Sequence, residues 1–318
     1  MVDTTITSIG DVIGETNSCV SSEATYTDDR SGVPGCGSTG TLRRAWSLSD
    51  DCGNTTTTSA TFTIEDTTGP VISLIGDNPQ IIEACTPYIE LGATAIDPCL
   101  GTDYTTNISI DASAVNTNVV GTYNVTYNVQ DANGNVANEI IRIVQVVDTT
   151  TPTINCPTDI TISNDVGLCS AVVTYSITSS DNCSGETITQ TDSTGLSSGD
   201  AFPVGTTILE YTVTDINGNS DTCSFSVTVN DTEAPEALCQ NFTMQLDPAT
   251  GLATLLPSDI DNGSNDNCNV NLTVSQNSFS CANIGLNTVT LTATDDSGNS
   301  DSCDATVTIT DAAENASV

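Results

Sequence analysis

The sequence predicts an all-β protein, a tandem array of immunoglobulin-like β-sandwich modules. Three observations lead there. A D-x-x-G-N turn set between two strand-like segments occurs four times, at Asp50–Asn54, Asp131–Asn135, Asp215–Asn219 and Asp295–Asn299. The turns start 81, 84 and 80 residues apart, and such a period marks repeated supersecondary units. An Asp follows each turn's Asn by 12 or 13 residues: Asp66, Asp148, Asp231 and Asp311. The first three open D-T-x-x-P linkers that end at Pro70, Pro152 and Pro235.

The elements follow from local patterning. Thr206–Thr214 (TTILEYTVT) sets Ile208, Leu209, Tyr211 and Val213 among small polar residues. Thr222–Val229 (TCSFSVTV) alternates Cys223, Phe225, Val227 and Val229 in the same way. β-Branched and aromatic residues suit a pleated, half-buried surface. Gly, Asn, Asp and Ser clusters punctuate at short intervals, and no segment carries an apolar stripe at helical spacing. About seven short strands per module are expected. The linkers place the boundaries at 1–67, 68–148, 149–231 and 232–312, followed by a polar tail over 313–318. The first module is short. In modules three and four a D-N-C motif ends at Cys183 and Cys268, 35 and 37 residues after the preceding linker Asp. Its counterpart Cys19, in N-S-C, has only 18 residues before it. Module one is therefore expected to lack its first strand.

Charge narrows the function classes. The chain has 41 acidic residues against four arginines (Arg30, Arg43, Arg44, Arg142), with no Lys and no His, for a net charge of −37. No basic patch exists to displace counterions from nucleic acid or to meet an anionic membrane. Ca²⁺ is the natural partner for so acidic a chain. No apolar run approaches membrane-spanning length, so no membrane insertion is expected. The 13 cysteines point to an oxidising, extracellular compartment, with the natural start of the chain expected upstream of Met1.

Module three (INCPTDITISNDVGLCSAVVTYSITSSDNCSG…FPVGTTILEYTVTDINGNSDTCSFSVTVNDTEAP) resembles a hyalin-repeat domain along its whole length. Module two, with its GTY-V-Y-V-D-x-x-GN ending, resembles a bacterial immunoglobulin-like family. Modules one and four resemble related repeats of large Bacteroidetes surface proteins. The resemblance implies a giant secreted adhesin, of the kind that serves flavobacterial gliding motility.

The cysteines suggest a pairing scheme. In modules three and four a D-N-C cysteine, and in module one its N-S-C counterpart, precedes the turn and another follows it or lies within it, which pairs Cys183 with Cys223, Cys268 with Cys303, and Cys19 with Cys52. Each bridge would close a loop of roughly 35–40 residues, contributing about 4 kcal/mol in the chain-entropy model. Module two holds only Cys85 and Cys99, expected to pair with each other. Elimination pairs Cys156 with Cys169 and Cys239 with Cys281, and leaves Cys36 as the single free thiol. Zinc is excluded by the absence of His and of a Cys-x-x-Cys knuckle.

The repeated Asp positions admit two readings. Asp and Asn accept hydrogen bonds from nearby amides and Gly supplies a positive φ, so the motif explains itself as a turn. Alternatively, carboxylates converge on Ca²⁺ at the module junctions: Asp66, Asp97 and Asp131; Asp148, Asp181 and Asp215; Asp231, Asp266 and Asp295. Ca²⁺ takes six to eight oxygens, which carboxylates and loop carbonyls supply. Asp259–Gly263 (DIDNG) reads as a turn with an accessory cation site, because its Gly falls one residue early for an EF-hand loop. Asp66-Thr67-Thr68, Asp148-Thr149-Thr150 and Asp192-Ser193-Thr194 resemble the Bacteroidetes O-glycosylation signal.

The leading functional expectation is a disulfide-stapled stalk segment of a surface-anchored adhesin, carrying neighbouring modules of a longer chain. The alternative is a Ca²⁺-dependent module that binds a surface glycan or protein. Its weakness is the lack of an aromatic platform, since the sole Trp, Trp46, sits in a strand alternation. Without His or Lys, the nucleophilic triads, Schiff bases and His-ligated metal centres are unavailable, so no enzyme is expected.

Overall fold

The structure is a computed structural model that describes residues 24–31, 39–99 and 101–311. The chain divides into two compact units, Met1–Thr150 and Thr151–Val318. Both are built of strands. The helical segments described, Thr105–Asn107, Pro257–Ile260 and Cys281–Asn283, are single turns. The DIDNG stretch follows from the second of them. There Asp261 accepts from the Ser264 amide at 2.8 Å and Gly263 takes a φ of 90°.

In the first unit, Thr25–Asp29, Gly40–Ser49 and Thr55–Ile64 form an antiparallel three-stranded sheet. Trp46 is half-buried on its middle strand. Arg44, two residues earlier, is buried, grips Asp28 through two hydrogen bonds of 2.6 and 2.9 Å, and lies 4.1 Å over the Tyr26 ring. Next comes a sandwich. One sheet runs in the order Gln80–Glu83, Ile140–Val147, Gly121–Asn128, Ser109–Asp111; the other pairs Val71–Leu74 with Ala93–Ile96. The Gln80–Glu83 strand runs parallel to Ile140–Val147, while the remaining pairs are antiparallel. Val125, Tyr127, Val144 and Val146 face inward, as their alternation requires.

The second unit repeats this plan twice. Gly205–Thr214 and Ser220–Asn230 form the central hairpin of one copy, and Gly285–Thr294 and Ser300–Thr310 that of the other. A short strand pairs in parallel with the second arm of each hairpin: Ile160–Ser163 in the first copy, Phe242–Gln245 in the second. Leu209, Tyr211, Val213, Phe225, Val227 and Val229 fill the first core; Leu291, Val307, Ile309 and Phe279 contribute to the next. Ile208, one of the apolar residues of the sequence pattern, points outward and is 62% exposed. A strand's period of two leaves it no other face once Leu209 is inside.

The cysteine pairing departs from the sequence expectation. Cys223 bonds to Cys156, Cys303 to Cys239, and Cys268 to Cys169. The expected pairs Cys183–Cys223, Cys268–Cys303, Cys156–Cys169 and Cys239–Cys281 do not form. Cys223 and Cys303 lie inside the long second arm of each hairpin, packed against the core, where the first strand of the opposing sheet passes. Cys156 directly follows that strand, Thr153–Asn155, and Cys239 makes an isolated bridge with Asp261 in the corresponding segment, with Cα–Cα distances of 5.9 Å in both disulfides. The D-N-C cysteine instead sits at a module end, and Cys268 meets Cys169 of the preceding module across 99 residues. Cys85, Cys99 and Cys183 are disulfide-bonded as well. Cys52 and Cys281 are exposed free thiols, which overturns the Cys19–Cys52 pair and the expectation of one free cysteine. Cys19 and Cys36 themselves lie outside the described residues.

Candidate metal centres at the module junctions

The D-x-x-G-N turns are fully formed as turns. In each, the Asp amide donates to the carbonyl of the turn's Asn, at 2.9–3.0 Å. Each Gly has a φ between 84° and 96°, a region open to glycine at no steric cost. One Asp carboxylate oxygen accepts from the amide of the Asn, and the other from its side-chain amide, at Asp50, Asp131, Asp215 and Asp295 alike. Burial pushes the carboxyls of Asp131, Asp215 and Asp295 up, but these hydrogen bonds prevail and hold them below the ordinary Asp value.

The turn Asn has a second task that the sequence did not announce. Asn135 Nδ2 also donates to the Asp66 carbonyl at 3.0 Å, and Asn299 Nδ2 to the Asp231 carbonyl at 3.2 Å. These two turns thereby grip the linkers that enter their modules. Asn133 adds a bond to the Asp66 carboxylate at 3.0 Å. A Cβ on Gly69 would lie 2.4 Å from the Val136 carbonyl oxygen, so this linker packs against the turn closely enough to require glycine. The recurrence of Asn at the fifth turn position was the available signal.

Within each unit, predicted carboxylates gather around these turns, wholly in one set and in part in another. Asp66, Asp97 and Asp131 each place an oxygen within 4.8 Å of the others, and Asp97 and Asp131 are buried. Oxygens around one Ca²⁺, at about 2.4 Å from it, lie within such distances of each other. The second predicted set is divided between the units: Asp148 ends the first, while Asp181 and Asp215 belong to the second. Just after Asp148, the Glu83 carboxylate accepts from the amides and hydroxyls of both Thr149 and Thr150, at 2.6–2.9 Å. In the third set, Asp231 and Asp266 converge with the sulfur of Cys268. Asp295 lies outside that group, a correction to the expected trio, although Asn299 holds it by the same two bonds that Asn135 gives Asp131, so the turn alone does not decide which Asp joins. The Cys268 sulfur is committed to a disulfide and is not a thiolate ligand.

Comparison with known proteins adds the domain families. Residues 147–229 match the HYR domain model, and residues 72–146 match the model of the bacterial surface protein Ig-like domain. The chain is 32% identical over 290 residues to hyalin of Strongylocentrotus purpuratus, covering 85% of this chain and 23% of that protein. To hyalin of Lytechinus variegatus it is 34% identical over 208 residues, covering 61% of this chain and 37% of that one. The chain therefore spans well under half the length of these relatives. Among solved structures it is similar to protocadherin gamma B7 extracellular cadherin domains 1–4, at 13% identity and a TM-score of 0.33, over 90% of this chain and 92% of that one. Among the described residues no helix is long and apolar enough to cross a membrane.

Proposed function

We propose that this chain is a structural segment of a secreted, surface-anchored adhesin, a stalk of sandwich modules joined by stiff linkers. The observation that carries the reading is the grip of two D-x-x-G-N turns on their incoming linkers, through Asn135 to Asp66 and Asn299 to Asp231. A catalytic or ligand-binding module has no need of a pinned linker at its end. A load-bearing segment does, because a free linker transmits neither orientation nor force. The HYR and Ig-like domains support an adhesive surface protein, and the absence of His and Lys removes the common catalytic groups. Extracellular localisation fits the disulfides. Attachment and gliding, as in adhesins of the SprB type, are the finer form of the same reading.

Ca²⁺ at the junctions belongs to this proposal. Clustered carboxylates repel one another unless a cation sits between them. A ligand that binds only the folded state stabilises it by about 2.7 kcal/mol at a hundredfold excess over Kd. Thermal melts in millimolar Ca²⁺ and in chelator test this: a rise of several degrees with Ca²⁺ is expected. Identical melts would leave a cation-independent stalk.

A further inference from the structure

We propose that the junction of modules three and four holds a Ca²⁺ ion on Asp231 and Asp266, and that the Cys169–Cys268 disulfide pre-forms this site. The inference rests on the reading of the junctions as cation sites and goes on to say which bond controls one of them.

Asp231 is 7% exposed, yet its Oδ2 has no hydrogen-bond partner. Its Oδ1 accepts only from the Glu233 amide, at 3.2 Å. The Oδ1 of Asp266 and the Oδ1 of Asn267 are likewise buried and unpartnered. Burying a carboxylate without a counter-charge is costly. No side chain in this unit can supply one, because residues 151–318 contain no Lys, Arg or His. An all-oxygen donor set with the nearby sulfur locked in a disulfide suits a hard cation and not a thiophilic one.

The same residues are tied to the preceding module by a short network. Asn267 Nδ2 donates to the Leu168 carbonyl at 3.0 Å, which fixes the amide and leaves its oxygen unused. Asn164 Nδ2 donates to that same carbonyl at 3.1 Å, while Asn164 Oδ1 accepts from the Thr232 amide at 3.1 Å, beside Asp231. Cys169 follows Leu168 and is bonded to Cys268, whose amide donates to Asp266 Oδ2 at 2.8 Å. One carboxylate is thus held by the linker and the other by the disulfide-anchored turn. Opening the disulfide leaves the Asp266–Cys268 turn tied to module three by the Asn267–Leu168 hydrogen bond alone, and Ca²⁺ binding must then restore its position. Coupling is reciprocal, so Ca²⁺ should protect the disulfide by the factor that the disulfide adds to Ca²⁺ affinity.

The test uses the full chain, with Ca²⁺ as the probe, counted by native mass spectrometry and titrated calorimetrically. Asp231→Asn should remove one bound Ca²⁺ from the wild-type count. The Cys169→Ser/Cys268→Ser pair should weaken one site about tenfold or more while the others keep their affinity. As a second measurement that needs no variant, dithiothreitol should open this bridge, forming two thiols and its own cyclic disulfide, only at about tenfold higher concentration when Ca²⁺ is present. Alkylation and peptide mapping at Cys169 and Cys268 read this out. If wild type binds Ca²⁺ and Asp231→Asn loses none, the ligand assignment is overturned. If Asp231→Asn loses one but neither the serine pair nor reduction responds, the coupling is overturned and the site stands. If wild type takes up no Ca²⁺, both this inference and the cation reading of the junctions fail.

Discussion

Modules two and three use the same hairpin and close it in opposite ways. Gly121 pairs with Val146 as Gly205 pairs with Val229, so Tyr127 corresponds to Tyr211 and Arg142 to Phe225. In module three, Phe225 packs edge-on against Tyr175 at 4.9 Å, and the Tyr175 and Tyr211 hydroxyls bond at 2.7 Å. The first strand is tied in covalently by Cys156–Cys223. In module two the position of Phe225 is held by Arg142, which is fully buried. Its guanidinium donates to the carbonyls of Ile75, Asp77 and Gly92 at 2.6–2.9 Å and to the Tyr127 hydroxyl at 2.9 Å. Glu90 accepts from the Tyr88 and Tyr127 hydroxyls and meets Arg142 at 4.0 Å. Ile75 and Asp77 directly follow the first strand, Val71–Leu74. A buried cation thus does in module two what a disulfide does in modules three and four: it ties the first strand to the last. One sandwich plan accepts either tie, because what it requires is a cross-link between sheets.

This comparison can be broken at its strongest point first. Cys156→Ser/Cys223→Ser opens a bridge with a sequence separation of 67 residues. The chain-entropy model puts the loss at about 4 kcal/mol. Hydrogen exchange should then rise across module three and stay unchanged in module two. Next in size, Arg142→Met should cost about 3 kcal/mol, because it leaves three carbonyls and the Tyr127 hydroxyl without their donor and Glu90 without its counter-charge. Here exchange should rise in module two alone. If Arg142→Met leaves module two as protected as before, the arginine is not a structural tie and the equivalence fails.

The smallest effect separates the modules by acid. Burial alone would push Asp192 of module three up, but the Thr194 hydroxyl, the Glu210 amide and the Gln190 side chain bring it down to about 2. A carboxyl lowered in the folded state stabilises above its unfolded value, about pH 4, and the contribution disappears as pH falls towards 2. Denaturation of Asp192→Asn at stepped pH should show a shallower loss of stability over that window than wild type. Equal slopes would mean that Asp192 gains nothing from its partners.

The sequence by itself determined the repeat, the sandwich class and the positions of the turns. Those follow from a period of two along strands and from the backbone demands of Asp, Gly and Asn, both local properties. It also pointed to Asp66, Asp97 and Asp131, and to Asp231 with Asp266, because similar turns in similar modules bring like positions together, although Asp295 departs from that pattern. The cysteine partners were decided only by the tertiary structure. Cys223 lies 40 residues from Cys183 and 67 from Cys156, so sequence distance favoured the wrong pair. Which sheet faces which strand overrode it. Nothing local marks Arg142 as buried either, since an isolated arginine in a strand reads as a surface residue. Its burial depends on carbonyls of Ile75, Asp77 and Gly92, which lie 50–67 residues away and form its site only once both sheets have closed.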